Sequence, residues 1–223
     1  MKRVNILFLL LVLLSYSTYA QIVDSNYRTS YYDQKVSMFK LLPDTKDEII
    51  FLGNSITDIA EWAEIWQNPK VKNRGISTDN SFGVLARLDE VLSSKPAKIL
   101  LMIGINDIAK NVPDSIIINN IIKIAERVQR SSPATQLIIQ SILPTNPVFT
   151  EFPRYQHKDI HIRFVNQALQ EYCTKKKLIF VDLYSHFKDA NGHLSTDYTN
   201  DGVHINGAGY FLWRTVLKKM KLL

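Results

Sequence analysis

A serine sits near the front of the chain, at Ile49-Ile50-Phe51-Leu52-Gly53-Asn54-Ser55-Ile56-Thr57, and an aspartate and a histidine close together near its end, at Asp201-Gly202-Val203-His204. The apolar run before Ser55 stops abruptly at Gly-Asn-Ser, and an amphipathic segment carrying Trp62 and Trp66 follows. That pattern puts a hydroxyl where a strand ends and a helix begins. Ligands bind at this edge of open α/β sheets, and helix N-terminal amides there favour negative charge. A serine hydroxyl is a poor nucleophile until a base takes its proton, and imidazole is the side chain that exchanges protons near neutrality. Asp201 lies three residues before His204, so one turn can present both and the carboxylate can fix the imidazole tautomer. These three residues predict a hydrolase built across the sheet.

The elements that must position them alternate along the chain. Strands are expected at Glu48–Gly53, Val71–Arg74, Lys98–Ile103, Gln136–Leu143 and Leu178–Leu183. Helices are expected at Ile59–Trp66, Ser81–Leu92, Asp114–Gln129, His157–Cys173 and Asn206–Lys219. Alternation implies parallel pairing with right-handed crossovers, and continuous apolar strands imply a sheet covered on both faces. The expected fold is therefore α/β, a three-layer α/β/α sandwich on a five-stranded parallel sheet. Of the eight glycines, Gly53, Gly75 and Gly104 each follow one of the first three strands, and Gly202, Gly207 and Gly209 surround the Asp201/His204 pair. Scarce glycine gathered at strand ends points to tight turns and close backbone approach to a ligand.

Four segments in order, Gly53-Asn54-Ser55, Gly75 within Asn73-Arg74-Gly75-Ile76-Ser77, Gly104-Ile105-Asn106-Asp107 and Asp201-Gly202-Val203-His204, resemble the four blocks of the SGNH (GDSL-type) hydrolases. The resemblance spans about residues 48 to 210. It implies a flavodoxin-like sheet, no metal, no cofactor, and ester hydrolysis through an acyl-enzyme. It makes Ser55 the nucleophile, His204 the base and Asp201 the residue that orients the base. The oxyanion hole it implies comprises the Ser55 and Gly75 amides and the Asn106 side chain. Asn54 stands where the family name has Asp, at a position that is not the catalytic acid. After Gly75-Ile76-Ser77 the related carbohydrate-esterase-like members often continue Gly-[Asp/Glu]-Thr, whereas this chain has Thr78-Asp79-Asn80. In look it is most similar to secreted acetylhydrolases and sialate O-acetylesterase-like members.

Substrate is read from looser signals. The segment from Pro144 to Tyr155 follows the fourth expected strand and should overhang the site, where such loops set specificity. Trp62 and Trp66 share one helix face; core packing is the favoured role, and stacking on a sugar ring is the alternative that makes them candidate substrate-binding residues. Short acyl groups, acetyl esters of carbohydrates above all, are the expectation. The alternatives are a lysophospholipase or thioesterase with a longer acyl site, and a secreted glycan-binding protein without turnover.

Competing chemistries fare worse. Thr57 occupies the last position of what would be a Gly-x-Ser-x-Gly elbow. His157 and His161 have helical spacing but no glutamate follows His157, so a metal site is not expected. Asp107 is expected to bond loop amides and Cys173, the sole cysteine, to be a buried thiol. No phosphate-binding glycine-rich loop is present, and the basic clusters at Lys175–Lys177 and Lys218–Lys221 read as solvated helix ends, not a nucleic-acid surface.

Residues 1–20 have the form of a secretory signal: Lys2 and Arg3, an apolar run from Ile6 to Leu14, and Thr18-Tyr19-Ala20 at the cleavage position. The run is short for a membrane span. Two of the formal +6 charges would leave with it. The expected organisation is a signal peptide (1–20), a lead-in segment (21–47) and a hydrolase domain (48–223). The protein would be exported to the periplasm or beyond, with no stable membrane anchor. Its oligomeric state is left open.

Overall fold

The structure, a computed structural model, describes residues 23–223. The expected signal peptide lies outside the described residues. Five strands, β1 (Ile49–Gly53), β2 (Val71–Gly75), β3 (Lys98–Met102), β4 (Gln136–Gln140) and β5 (Ile179–Val181), form one sheet in the order β2-β1-β3-β4-β5. Every pairing is parallel. Ile50, Phe51, Leu52, Ile99, Leu100 and Ile138 are wholly buried, as continuous apolar strands between two helical layers require. The register sets Gly53 beside Gly75 on one side and Met102 on the other. The C-terminal ends of β2, β1 and β3 thus form a level edge.

The helices are α1 (Ser30–Leu41), α2 (Ser55–Asp58), α3 (Trp62–Trp66), α4 (Ser81–Ser93), α5 (Ile105–Ala109), α6 (Asp114–Ser131), α7 (Asp159–Lys176), α8 (Tyr184–Phe187) and α9 (Gly207–Lys219). In α6 the residues Ile117, Ile121, Ile124, Ala125 and Val128 are buried, three and four apart, along one stripe. Ile162, Val165, Leu169 and Cys173 do the same in α7. Burial holds the Cys173 thiol up at about 11, so it stays protonated and inert.

Beyond the unexpected short helices α5 and α8 and the end of β4 at Gln140, where Leu143 was expected, two differences shape the site. The helix expected over Ile59–Trp66 is realised only as α3, from Trp62 on; residues 59–61 form a break that separates it from the short α2 before them. The Trp62 indole N–H donates to the Thr57 carbonyl at 2.8 Å, taking the acceptor that a continuing helix would use. The Asn73 side chain on β2 donates to the Asp58 and Ala60 carbonyls, both at 2.9 Å, and satisfies the rest of the break.

The second difference is α1, within the lead-in segment. Thr29 caps it by accepting from the Tyr32 amide. Tyr32 and Phe39 bury against Ile76, and Lys35 forms a 2.7 Å ion pair with Asp58. Asp58 also accepts from the Tyr31 hydroxyl (2.8 Å), the Ser77 amide (3.1 Å) and the Ser77 hydroxyl (2.8 Å). Burial would raise the Asp58 carboxyl, but Lys35 and the two hydroxyls outweigh it and hold the group below the ordinary carboxylate value. The lead-in segment is thereby clamped onto the turn that follows β2.

Candidate active site

Ser55 is the first residue of α2, directly after β1. Asn54 caps that turn, its side-chain oxygen accepting from the Ile56 amide at 3.1 Å. Ser55 Oγ lies 2.9 Å from His204 Nε2, and His204 Nδ1 lies 2.7 Å from Asp201 Oδ2. The other oxygen, Asp201 Oδ1, accepts from the Val203 and His204 amides, each at 2.8 Å. Burial would raise the Asp201 carboxyl, but these amides and the imidazole bring it below its ordinary value, so it stays ionised. An ionised carboxylate only accepts, which places the proton on Nδ1 and turns the Nε2 lone pair toward Ser55. Such a chain can lift the hydroxyl proton as the oxygen attacks an electrophile.

The turn carrying Asp201 and His204 is held from three sides. The Thr199 hydroxyl accepts from the Gly202 amide at 2.9 Å and donates to the His204 carbonyl at 2.6 Å. Gly202 has φ +81°, and a Cβ there would fall 2.6 Å from the Asn146 carbonyl oxygen. The Asn146 amide in turn donates to the Gly202 carbonyl at 2.8 Å. This contact brings the segment after β4 over the site. From it, Phe152 packs edge-on against the His204 ring with centroids 5.4 Å apart.

The oxyanion side departs from expectation at Gly75. The Gly75 amide donates to Asn73 Oδ1 at 2.8 Å and is committed. Gly75 is small for another reason. A Cβ there would sit 2.2 Å from the Asp58 nitrogen, so glycine lets the end of β2 abut the backbone of α2. In the next turn Asp79 N donates to Ile76 O at 3.1 Å, and Thr78 occupies its third position with φ +69°. Glycine favours that left-handed conformation, and a β-branched residue there is strained. The Thr78 N–H has no hydrogen-bond partner among the described residues, and Thr78 lines the same cavity as Asn106. Thr78, not Gly75, offers the free backbone donor of this loop.

Asn106 is buried at the start of α5. Its Nδ2 donates to the Asp79 carbonyl at 2.7 Å, and its Oδ1 accepts from the Tyr155 hydroxyl at 2.7 Å. These partners fix which end of the amide is which and leave the second Nδ2 hydrogen free. The Tyr155 hydroxyl also accepts from Arg154 Nη2 at 3.1 Å. Tyr155, on a 3-10 turn (Pro153–Tyr155), escaped sequence reasoning, since no local signal ties it to residue 106.

Below the site, Arg87 and Asp79 form a fully buried ion pair at 2.8 Å. Arg87 Nη2 also donates to the Gly53 and Arg74 carbonyls at the strand ends. Asp107 accepts from both the amide and hydroxyl of Ser81, joining α5 to α4. Burial raises its carboxyl to about 6.

Trp62 and Trp66 pack into the core and do not form the sugar-stacking face given as the alternative. Trp62 is 1% exposed, stacked on Phe51 at 3.8 Å and packed edge-on against Trp213. Trp66 packs against the core with Arg214 over its ring. The break between α2 and α3 turns Trp62 inward. His157 precedes α7 with φ +56° and so does not share its helical face with His161, which pairs with Asp114 at 2.9 Å.

A parallel open sheet with serine, imidazole and carboxylate in a hydrogen-bonded line beside its strand ends defines a serine hydrolase. Residues 51–212 match the GDSL-like Lipase/Acylhydrolase family, and the chain belongs to that family. Among solved structures, it is similar to a Streptococcus pneumonia protein named for platelet activating factor, with 30% identity, TM-score 0.78, and coverage of 85% of this chain and 92% of that one. It is also similar to an acylhydrolase from Bacteroides fragilis, with 25% identity, TM-score 0.76, and coverage of 86% and 97%. A GDSL-like lipase from Bacteroides thetaiotaomicron shares 26% identity at TM-score 0.75, with coverage of 86% and 98%. No curated protein matches the sequence.

Proposed function

We propose that the protein removes short acyl groups, acetyl above all, from the hydroxyls of carbohydrates, through an acyl-enzyme on Ser55. The observation that carries the reading is the unbroken line from Ser55 Oγ through His204 to Asp201, at 2.9 and 2.7 Å. Ser55 Oγ attacks the ester carbonyl while His204 Nε2 takes its proton. The carbonyl oxygen, now an anion, is met by the Ser55 and Thr78 amides and the free Nδ2 hydrogen of Asn106. Each such donor is worth roughly 10²–10³ in rate. The tetrahedral intermediate expels the alcohol, which receives the proton from His204. Water then enters by the same route in reverse order and releases the acid. Asp201 stabilises the imidazolium at both stages.

The short-acyl preference rests on the cavity beside Asn106. Its volume is about 210 Å³, small for a fatty chain, and Asn, Thr, Lys and Arg side chains line it beside two tyrosines, partners suited to a sugar ring. One observation favours a longer acyl group: Phe149 and Phe152 give the His204 side an apolar wall. Export through the leader at residues 1–20 would place the enzyme where acylated glycans are met. The test measures acetate release from acetylated glycans together with rates on nitrophenyl esters from C2 to C12. Acetyl preference and loss of all turnover in Ser55→Ala are expected. Preference for C8 and above would replace this reading with the lysophospholipase one.

A further inference from the structure

We propose that the cavity between Asn106 and the lead-in segment is a subsite for an anionic group, a carboxylate or a phosphate, carried on the alcohol portion of the ester. Its walls are Asn26, Tyr27 and Thr29 from the lead-in segment, Thr78 and Asn106 from the oxyanion side, and Lys110, Arg154 and Tyr155. Two of these are cations and none is a carboxylate.

The two cations are not equivalent. Lys110 Nζ bonds the Asn26 carbonyl and lies 3.4 Å from Asp24, just outside the wall, so part of its charge is already met. Arg154 has no carboxylate partner among the described residues. Yet it is not a loose surface side chain. Its guanidinium lies 5.0 Å from the Tyr155 ring centroid and donates to the Tyr155 hydroxyl at 3.1 Å. One edge of the fork is therefore anchored while the remaining N–H groups stay free, and a planar fork matches a carboxylate or phosphate in bidentate fashion. The Thr29 and Tyr27 side chains add neutral partners of the kind that meet hydroxyls.

Size sets the occupant. The cavity is smaller than the roughly 300–1,000 Å³ of pockets that enclose drug-sized ligands, so it admits one ring or headgroup. An acetyl group held by the Asn106 amide is too short to reach across it, and the alcohol portion is what fills it. This rests on the short-acyl reading above. The subsite also gives the lead-in segment a task. Asn80 Nδ2 donates to the Asn26 carbonyl at 3.2 Å, and the Lys35–Asp58 pair fixes the helix that follows, so residues 26–29 form a standing wall.

The test uses two matched pairs of acetyl esters: an acetylated sugar acid against its methyl ester, and an acetylated sugar phosphate against the phosphate-free sugar. The wild-type enzyme is expected to favour the charged member of at least one pair by about tenfold or more in kcat/KM, chiefly through KM, since hydrogen bonds to a charged group are roughly twice as strong as neutral ones. Which pair shows it separates carboxylate from phosphate. Arg154→Gln should bring that ratio close to one, and Arg154→Lys should leave it between. Lys110→Gln should lower it less, because Asp24 shares that charge. Labelling by a neutral fluorophosphonate reports that each variant is folded. Equal kcat/KM within both pairs, or a preference that survives Arg154→Gln, overturns the subsite while leaving the acetylesterase reading in place. No hydrolysis of any acetyl ester, charged or neutral, overturns both.

Discussion

Removing the Tyr155 hydroxyl tests how the Asn106 amide is aimed. In Tyr155→Phe the ring still packs against Phe152, but Asn106 Oδ1 loses the 2.7 Å bond from Tyr155. Both residues are nearly inaccessible, at 5% and 6% exposure, so water is a poor replacement. A buried acceptor left unsatisfied costs about 1–3 kcal/mol, equivalent to roughly 5- to 150-fold in rate if the whole cost fell on the transition state. The Asp79 carbonyl still holds one Nδ2 hydrogen at 2.7 Å, so the amide stays broadly in place. We therefore expect kcat to fall about tenfold. Outright removal in Asn106→Ala should cost roughly 10²–10³. The assay is steady-state hydrolysis of a neutral nitrophenyl acetate, chosen because Tyr155 also anchors Arg154. KM should change little, since the oxyanion exists only in the transition state. The decisive measurement is the double variant. If Tyr155 acts through Asn106, then Tyr155→Phe has no further effect on kcat once Asn106 is alanine. The same tenfold loss in both backgrounds would mean that Tyr155 merely supports the loop.

Asp201→Asn should lower kcat by up to about 10⁴ and leave KM nearly unchanged, because an amide facing Nδ1 favours the wrong imidazole tautomer; kcat within tenfold of wild type would remove Asp201 from the triad. Thr78→Gly should stabilise the fold by up to about 1 kcal/mol in urea denaturation. Relief of the left-handed strain, about 1–2 kcal/mol, exceeds the entropy glycine adds to the unfolded chain; a clear loss of stability would show that the Thr78 side chain makes up for its backbone. Asp107 gives a pH dependence. Its folded value of about 6 lies above the unfolded 3.8, so its contribution is full below pH 4 and is lost as pH rises through 6, by about 3 kcal/mol. Wild type should lose about 2 kcal/mol of this relative to Asp107→Asn between pH 4 and pH 7, and parallel stability curves would refute the assignment.

What the sequence made legible follows from how local each signal is. Strands β1 and β3 were readable because a sheet covered on both faces demands unbroken apolar runs, as at Ile49–Gly53 and Lys98–Met102, whereas the edge strand β2, Val-Lys-Asn-Arg-Gly, has no such run. Ser55, Asp201 and His204 were readable because strand end, glycine turn and three-residue spacing are all properties of short segments. Helix α1 was not read, although Tyr32, Val36 and Phe39 fall at helical spacing. Its docking is carried largely by polar contacts to Asp58, which no apolar pattern announces. Tyr155 and Arg154 were equally silent, because their partners lie about fifty residues away or in a cavity made by the lead-in segment. The tryptophans misled for a related reason. Spacing told which face they share, but the break at 59–61, set by Asn73 and the Trp62 indole itself, decided which way that face turned.

Gly75 shows why a glycine at a strand end is an ambiguous signal. Glycine answers three physical needs: a left-handed backbone, an amide exposed to a ligand, or room for another backbone to approach. At Gly75 only the third operates, since its φ is unexceptional, its amide is taken by Asn73 and its missing Cβ makes space for Asp58. Three residues later the first two needs arise together and the chain meets them with threonine, at φ +69° and with an N–H that has no partner among the described residues. A β-branched residue persists in such a conformation only where its surroundings over-determine it. Here they do: Ser77 on one side is bonded twice to Asp58, and Asp79 on the other is locked to Arg87. The buried Arg87–Asp79 pair and the Asp58 cluster thus act on the same short turn from opposite sides. Their joint effect is to hold the Thr78 amide and, through the Asp79 carbonyl, the Asn106 amide on the rim of one cavity. Weakening either clamp should therefore lower kcat, and breaking the buried Arg87–Asp79 pair should in addition cost about 3–5 kcal/mol of stability.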